Sequence, residues 1–93
     1  MWIVRRVEGT SMLPALKPGD IVIGKRGKVP QINDIVIAWA HDKEVIKRIV
    51  DITDAGYDLR GDNSIASTDS RSYGPIAKQH LKGVVIRVIK RKT

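Results

Sequence analysis

Apolar residues recur along the chain in short runs rich in Val and Ile: Trp2 to Val7, Ile21 to Gly24, Asp34 to Ala40, Glu44 to Ile52 and Gly83 to Ile89. Such β-branched side chains suit a pleated, half-buried surface, so each run predicts a strand. Alternation is plainest in the fourth run. Val45, Lys47 and Ile49 fall on one face and Ile46, Arg48 and Val50 on the other. Turn chemistry separates the runs: Lys17-Pro18-Gly19-Asp20, Gly27 to Asn33 around Pro30, His41-Asp42-Lys43, and Asp54-Ala55-Gly56. The His41-Asp42-Lys43 connection predicts a hairpin of its flanking strands. Tyr57-Asp58-Leu59 predicts a short strand that leaves Gly61-Asp62-Asn63 at its end, and Ser67 to Ser72 reads as irregular loop. Helix is expected only as one turn over Met12 to Leu16 and as a short segment over Ala77 to Lys82 stopped by Gly83. The expected architecture is mainly β, a single compact antiparallel domain over residues 1–93 with at most one or two short helical turns.

Composition agrees with that picture. At 93 residues there is room for one small domain and not for a second. Hydrophobic residues make up 42% and charged residues 29%, which is a globular balance. Trp2, Trp39, Tyr57 and Tyr73 are the aromatics, so the core must be built from Val, Ile, Leu and Ala. Cysteine is absent, which removes disulfides, thiolate metal sites and cysteine nucleophiles together.

A formal charge of +7 would draw the protein toward acidic partners or membrane surfaces. Part of the excess sits in Arg87, Lys90, Arg91 and Lys92, which read as the solvated end of a strand. No helix-turn-helix pattern or aromatic-studded face accompanies them, so nucleic acid is not an expected partner. The opening Met1-Trp2-Ile3-Val4 is broken by Arg5 and Arg6, far short of the roughly 20 residues that cross a bilayer. A complete chain would be cytoplasmic; one from which an N-terminal anchor had been removed would be membrane-associated. An apolar patch at Trp2 and Ile3 is a candidate dimer or membrane contact.

Candidate chemistry centres on Ser11, in Val7-Glu8-Gly9-Thr10-Ser11-Met12-Leu13-Pro14. A serine hydroxyl is a weak nucleophile and needs a base to take its proton. Lys47 is the candidate base because it emerges from an apolar strand face. A lysine working near neutral pH must have its pKa lowered from about 10.4 toward about 7 or 8, chiefly by loss of water around the ammonium. The competing structural readings are that Ser11 caps a turn, and that Lys47 snorkels to water while Arg48 pairs with a carboxylate.

The three blocks Gly9-Thr10-Ser11-Met12-Leu13-Pro14 with Lys17-Pro18-Gly19-Asp20, Asp34-Ile35-Val36 with Ile46-Lys47-Arg48, and Gly61-Asp62-Asn63 with Ser67-Thr68-Asp69-Ser70-Arg71-Ser72-Tyr73-Gly74-Pro75-Ile76 run in order over most of the chain. This arrangement resembles the signal peptidase I family of serine-lysine endopeptidases. That family includes mitochondrial inner-membrane peptidases and nickel superoxide dismutase maturation peptidases, and the compactness of the chain looks closest to these.

The resemblance implies a β fold of the signal peptidase or LexA C-terminal type, with Ser11 as nucleophile and Lys47 as general base. It implies that Ser67 positions the Lys47 amine, and that Asp62, Asp69 and Arg71 form a salt-bridged support. The Ser11 N–H would be the first oxyanion donor, with a second sought from the backbone at Gly9 or from Thr10. Gly9 stands where some family members carry a serine, and Ser64 stands where an arginine often follows Gly-Asp-Asn. The implied substrate is a precursor protein or peptide held extended, with its leader or pro-segment removed. Apolar residues near Met12, Ile21, Ile23 and Ile35 are the candidate pocket.

Neither a cofactor nor a metal is expected, since His41 and His80 lie apart with no ligand spacing. A triad of Ser11, His80 and an aspartate is the less favoured catalytic arrangement. Two further alternatives are a LexA-like self-cleaving regulatory domain and a non-catalytic basic β module.

Overall fold

The computed structural model describes residues 1–65 and 74–92. Its strands are β1 (Trp2–Arg6), β2 (Ile21–Lys25), β3 (Ile35–Ala40), β4 (Lys43–Thr53), β5 (Gly56–Arg60) and β6 (Leu81–Ile89), with a single 3-10 turn at Lys78–His80. They form one six-stranded sheet in the order β1-β2-β6-β3-β4-β5, with every ladder antiparallel. The last strand therefore returns to the middle of the sheet, between β2 and β3.

The expected mainly β domain is what the chain forms. Strand ends agree with the alternation pattern to within a residue or so, except at β6. There the helix expected over Ala77 to Lys82 gives way to Lys78–His80 alone, and Leu81 and Lys82 join the strand. Leu81 pairs with Ala38 on β3, so a ladder partner outweighs the weak local preference for helix. Met12 to Leu16 makes turns, closed by the Leu16 N–H on the Met12 carbonyl at 2.9 Å. The β3–β4 hairpin turns on His41 and Asp42, with φ of 52° and 62°. Two successive positive φ values match the right-handed twist of the strands they join.

Two cores form, on opposite sides of the sheet. Val36, Ala38, Ala40, Val45, Ile49, Tyr57, Leu59, Ile76 and Val84 make one. Ile3, Val7, Met12, Leu16, Val22 and Ile37 make the other. Ile3 is thus interior, which corrects the expected Trp2–Ile3 surface patch: strand alternation sends Trp2 and Val4 outward and Ile3 inward.

The sheet also curls. Arg5 of β1 forms an ion pair with Glu44 of β4, although β2, β6 and β3 separate those strands in the sheet. The curl brings the segment after β1 over the first half of β4, the part that precedes the β5 ladder beginning at Arg48.

Candidate active site

Ser11 lies in the connection between β1 and β2, and that connection is fastened at both ends. The Val7 N–H donates to the Asp20 carbonyl at 2.7 Å and the Gly19 N–H to the Val7 carbonyl at 2.8 Å, which extends the β1–β2 pairing past its last ladder residue. Met12 and Leu16 are buried in the second core and draw the chain down just after the serine. Gly9 has φ +71°, and a Cβ there would meet nothing within 4 Å. The glycine is required by the backbone bend, and the space above it is open to a ligand.

Beneath the loop, Asp20 is fully buried and its carboxylate is saturated. It accepts from the Arg91 N–H at 2.7 Å, the Lys17 N–H at 2.9 Å and the Lys90 ammonium at 3.2 Å. The hydrogen bonds from the Arg91 and Lys17 backbone hold its pKa down at about 2. The Lys17-Pro18-Gly19-Asp20 turn is therefore a clamp that ties the C-terminal segment to the base of the Ser11 loop.

Lys47 is only 5% exposed. It sits between Val45 and Ile49 along its own strand face, and directly across from Val36 on β3, all of them buried. This excludes the reading in which the side chain snorkels to water. Burial on this strand face is the setting a lysine base requires.

Arg48, on the opposite face, grips Asp62 with two parallel bonds, Nε to Oδ1 at 2.9 Å and Nη2 to Oδ2 at 2.8 Å, and donates through Nη1 to the Asn33 carbonyl at 2.8 Å. Paired with Asp62, its guanidinium is held more firmly in the charged form. Asp62 thus carries its salt bridge to the neighbour of the candidate base. Ser67, Asp69 and Arg71, expected to position Lys47 and brace the loop, fall outside the described residues.

Asn63, which the sequence shows only as the end of the Gly61-Asp62-Asn63 block, bonds twice to the serine loop. Its backbone N–H donates to the Ser11 carbonyl at 2.8 Å and its side-chain Nδ2 to the Thr10 carbonyl at 3.1 Å. The signal was the invitation of a carboxamide directly after Asp62, since Asn can donate to a loop carbonyl from a strand end where Asp cannot.

These connections converge on one cleft of about 640 Å³, walled by Arg5 to Met12 on one side and Lys43 to Lys47 on the other. Gly9, Thr10, Ser11 and Lys47 all line it, as does Met12. Ile35 instead packs against the second core. At the rim, Glu44 takes Arg5 (Nη2 at 3.2 Å) and Lys82 (2.8 Å), and these cations hold its carboxyl below the usual range. His80 lines a separate groove with His41, Trp39 and Ile76, which sets it apart from Ser11 and weakens the triad reading. Among the described residues there is no cluster of three or more potential metal ligands.

Ser11 and the buried Lys47 thus both line one open cleft, and the backbone of the Ser11 loop is fixed by hydrogen bonds at Val7, Gly19 and Asn63. The profile of the family described as Peptidase S24-like matches residues 2–86 of the chain. No curated protein matches it. The match is to this peptidase family and not to the signal peptidase I family specifically. With the profile covering nearly the whole sequence, the chain belongs to the Peptidase S24-like family.

Proposed function

We propose that this protein is a serine endopeptidase of the serine-lysine type that removes a leader or pro-segment from a precursor protein. The carrying observation is that Ser11 and the buried Lys47 line the same cleft. The motif resemblance is compatible with processing of the nickel superoxide dismutase maturation kind or of the mitochondrial inner-membrane kind, and the family match fits a LexA-like self-cleaving domain equally well.

In this reading the neutral Lys47 amine accepts the Ser11 proton as Oγ attacks the scissile carbonyl, forming a tetrahedral oxyanion. The Ser11 N–H is the first donor to that oxygen, and the Gly9–Thr10 segment supplies the second. Collapse of the intermediate breaks the C–N bond, and the Lys47 ammonium passes its proton to the leaving amine. Water, deprotonated by Lys47, then attacks the acyl-serine ester and releases the second product with Ser11 restored. Loss of one oxyanion donor typically costs about 3–4 kcal/mol of transition-state stabilisation, so a rigid loop is worth its hydrogen bonds. The substrate runs extended through the cleft beside β1 and β4, the mode of strand addition.

The test is cleavage of a peptide library by the purified protein and by its Ser11→Ala and Lys47→Met variants. Both substitutions are expected to remove turnover and leave the circular dichroism spectrum intact. Equal cleavage by either variant overturns the assignment. Incubating the protein alone over a range of concentrations separates the self-cleaving alternative, which predicts concentration-independent scission of the chain itself.

A further inference from the structure

The side of the sheet that carries the first core over β3, β4 and β5 continues over β1, β2 and the end of β6, where it presents exposed and half-exposed side chains. Register fixes what it displays, because directly paired residues in an antiparallel ladder point the same way. Trp2 pairs with Lys25; Val4 with Ile23 and, through it, Arg87; Arg6 with Ile21 and, through it, Ile89. The apolar members Trp2, Val4 and Ile89 are 61%, 56% and 49% exposed. The basic members Lys25, Arg6 and Arg87 are exposed as well, and none of these ladder positions holds a carboxylate.

We propose that this face docks on an anionic lipid surface. Aliphatic and indole side chains gain by leaving water for the acyl boundary, and Lys and Arg set among them meet anionic headgroups. The ladder mixes both on one face of the sheet, and the net charge of +7 adds long-range attraction. A single-stranded nucleic acid would meet the same cations. Its bases need aromatic platforms, however, and the ladder offers Val and Ile with one Trp. This inference does not depend on the peptidase reading, because none of the residues tested below lines the Ser11 cleft.

The experiment is co-sedimentation with vesicles of phosphatidylcholine alone and of phosphatidylcholine with phosphatidylserine, alongside fluorescence titration with a single-stranded oligonucleotide. Binding is expected to the anionic vesicles and to fall as salt is raised. Lys25→Glu with Arg87→Glu should weaken it by more than about tenfold, and Trp2→Ser with Val4→Ser should weaken it at constant charge. Should those variants unfold, the salt dependence and lipid dependence of the native protein still decide the matter. Equal binding to neutral vesicles, binding that survives both pairs of substitutions in folded protein, or binding to the oligonucleotide but not to vesicles overturns the proposal.

Discussion

The Asn63 N–H donates to the Ser11 carbonyl at 2.8 Å, so the segment just after β5 is bonded directly to the loop that carries the candidate nucleophile. The residue before it is held by Arg48, and Arg48 follows Lys47. A short covalent and hydrogen-bonded circuit thus runs from Lys47 through Arg48, Asp62 and Asn63 to Ser11. The candidate base and the candidate nucleophile are thus linked through adjacent members of two residue pairs.

Removing the Asn63 side chain tests this circuit. Asn63→Ala loses the bond to the Thr10 carbonyl and keeps the backbone bond to Ser11. Stability should fall by about 1 kcal/mol, whereas kcat should fall by on the order of 10- to 100-fold, because small misplacements of a reacting group are costly. KM should change little. Steady-state kinetics beside urea denaturation checks the split, and a loss in KM alone would assign Asn63 to substrate binding.

The Arg48–Asp62 pair should be structural first. Both side chains are partly shielded, at 29% and 20% exposure. Asp62→Asn is expected to cost about 1.5–3 kcal/mol of stability, the range for hydrogen bonds to charged groups. Arg48→Lys should recover little, since an ammonium cannot span both carboxylate oxygens. Urea midpoints of the two variants give the answer.

Asp20 should make the fold sensitive to acid. Its folded pKa of about 2 lies below the unfolded value of about 3.9. The stabilisation it provides is complete above that unfolded value and is lost as pH falls through about 2. Urea midpoints between pH 6 and pH 2 should drop more steeply for the native protein than for Asp20→Asn, which removes the titrating group while lowering stability near neutrality.

Gly56 should tolerate no side chain. Its φ is +127°, and a Cβ would sit 1.8 Å from the Ile76 carbonyl oxygen, beside the Tyr57–Ile76 bridge. Gly56→Ala must break that bridge and strain the β4–β5 turn. Thermal melts should show either a drop of more than about 10 °C or no cooperative transition.

Much of this was legible in the residues. Period-two alternation located the strands and placed Lys47 on the same face as Val45 and Ile49, and the Pro and Gly turns marked where the chain reverses. The insertion of β6 between β2 and β3 was not legible, because no local pattern encodes which distant edges pair. The curl that brings Arg5 to Glu44 follows from that order and was equally hidden. Leu81 and Lys82 were misread because a ladder to β3 decides their conformation. Asn63 was visible inside the Gly-Asp-Asn block, but its two bonds to the serine loop depend on tertiary closure.

The central claim is that the Lys47 amine activates the Ser11 hydroxyl. Its most direct measurement is the rate at which an acylating probe modifies Ser11, followed by mass spectrometry across pH in the native protein and in Lys47→Met. Native acylation should climb with pH through one ionisation lying below the ordinary lysine value of about 10.4, and Lys47→Met should acylate far more slowly, without that step. Matching rates and matching pH profiles in the two proteins would contradict the account.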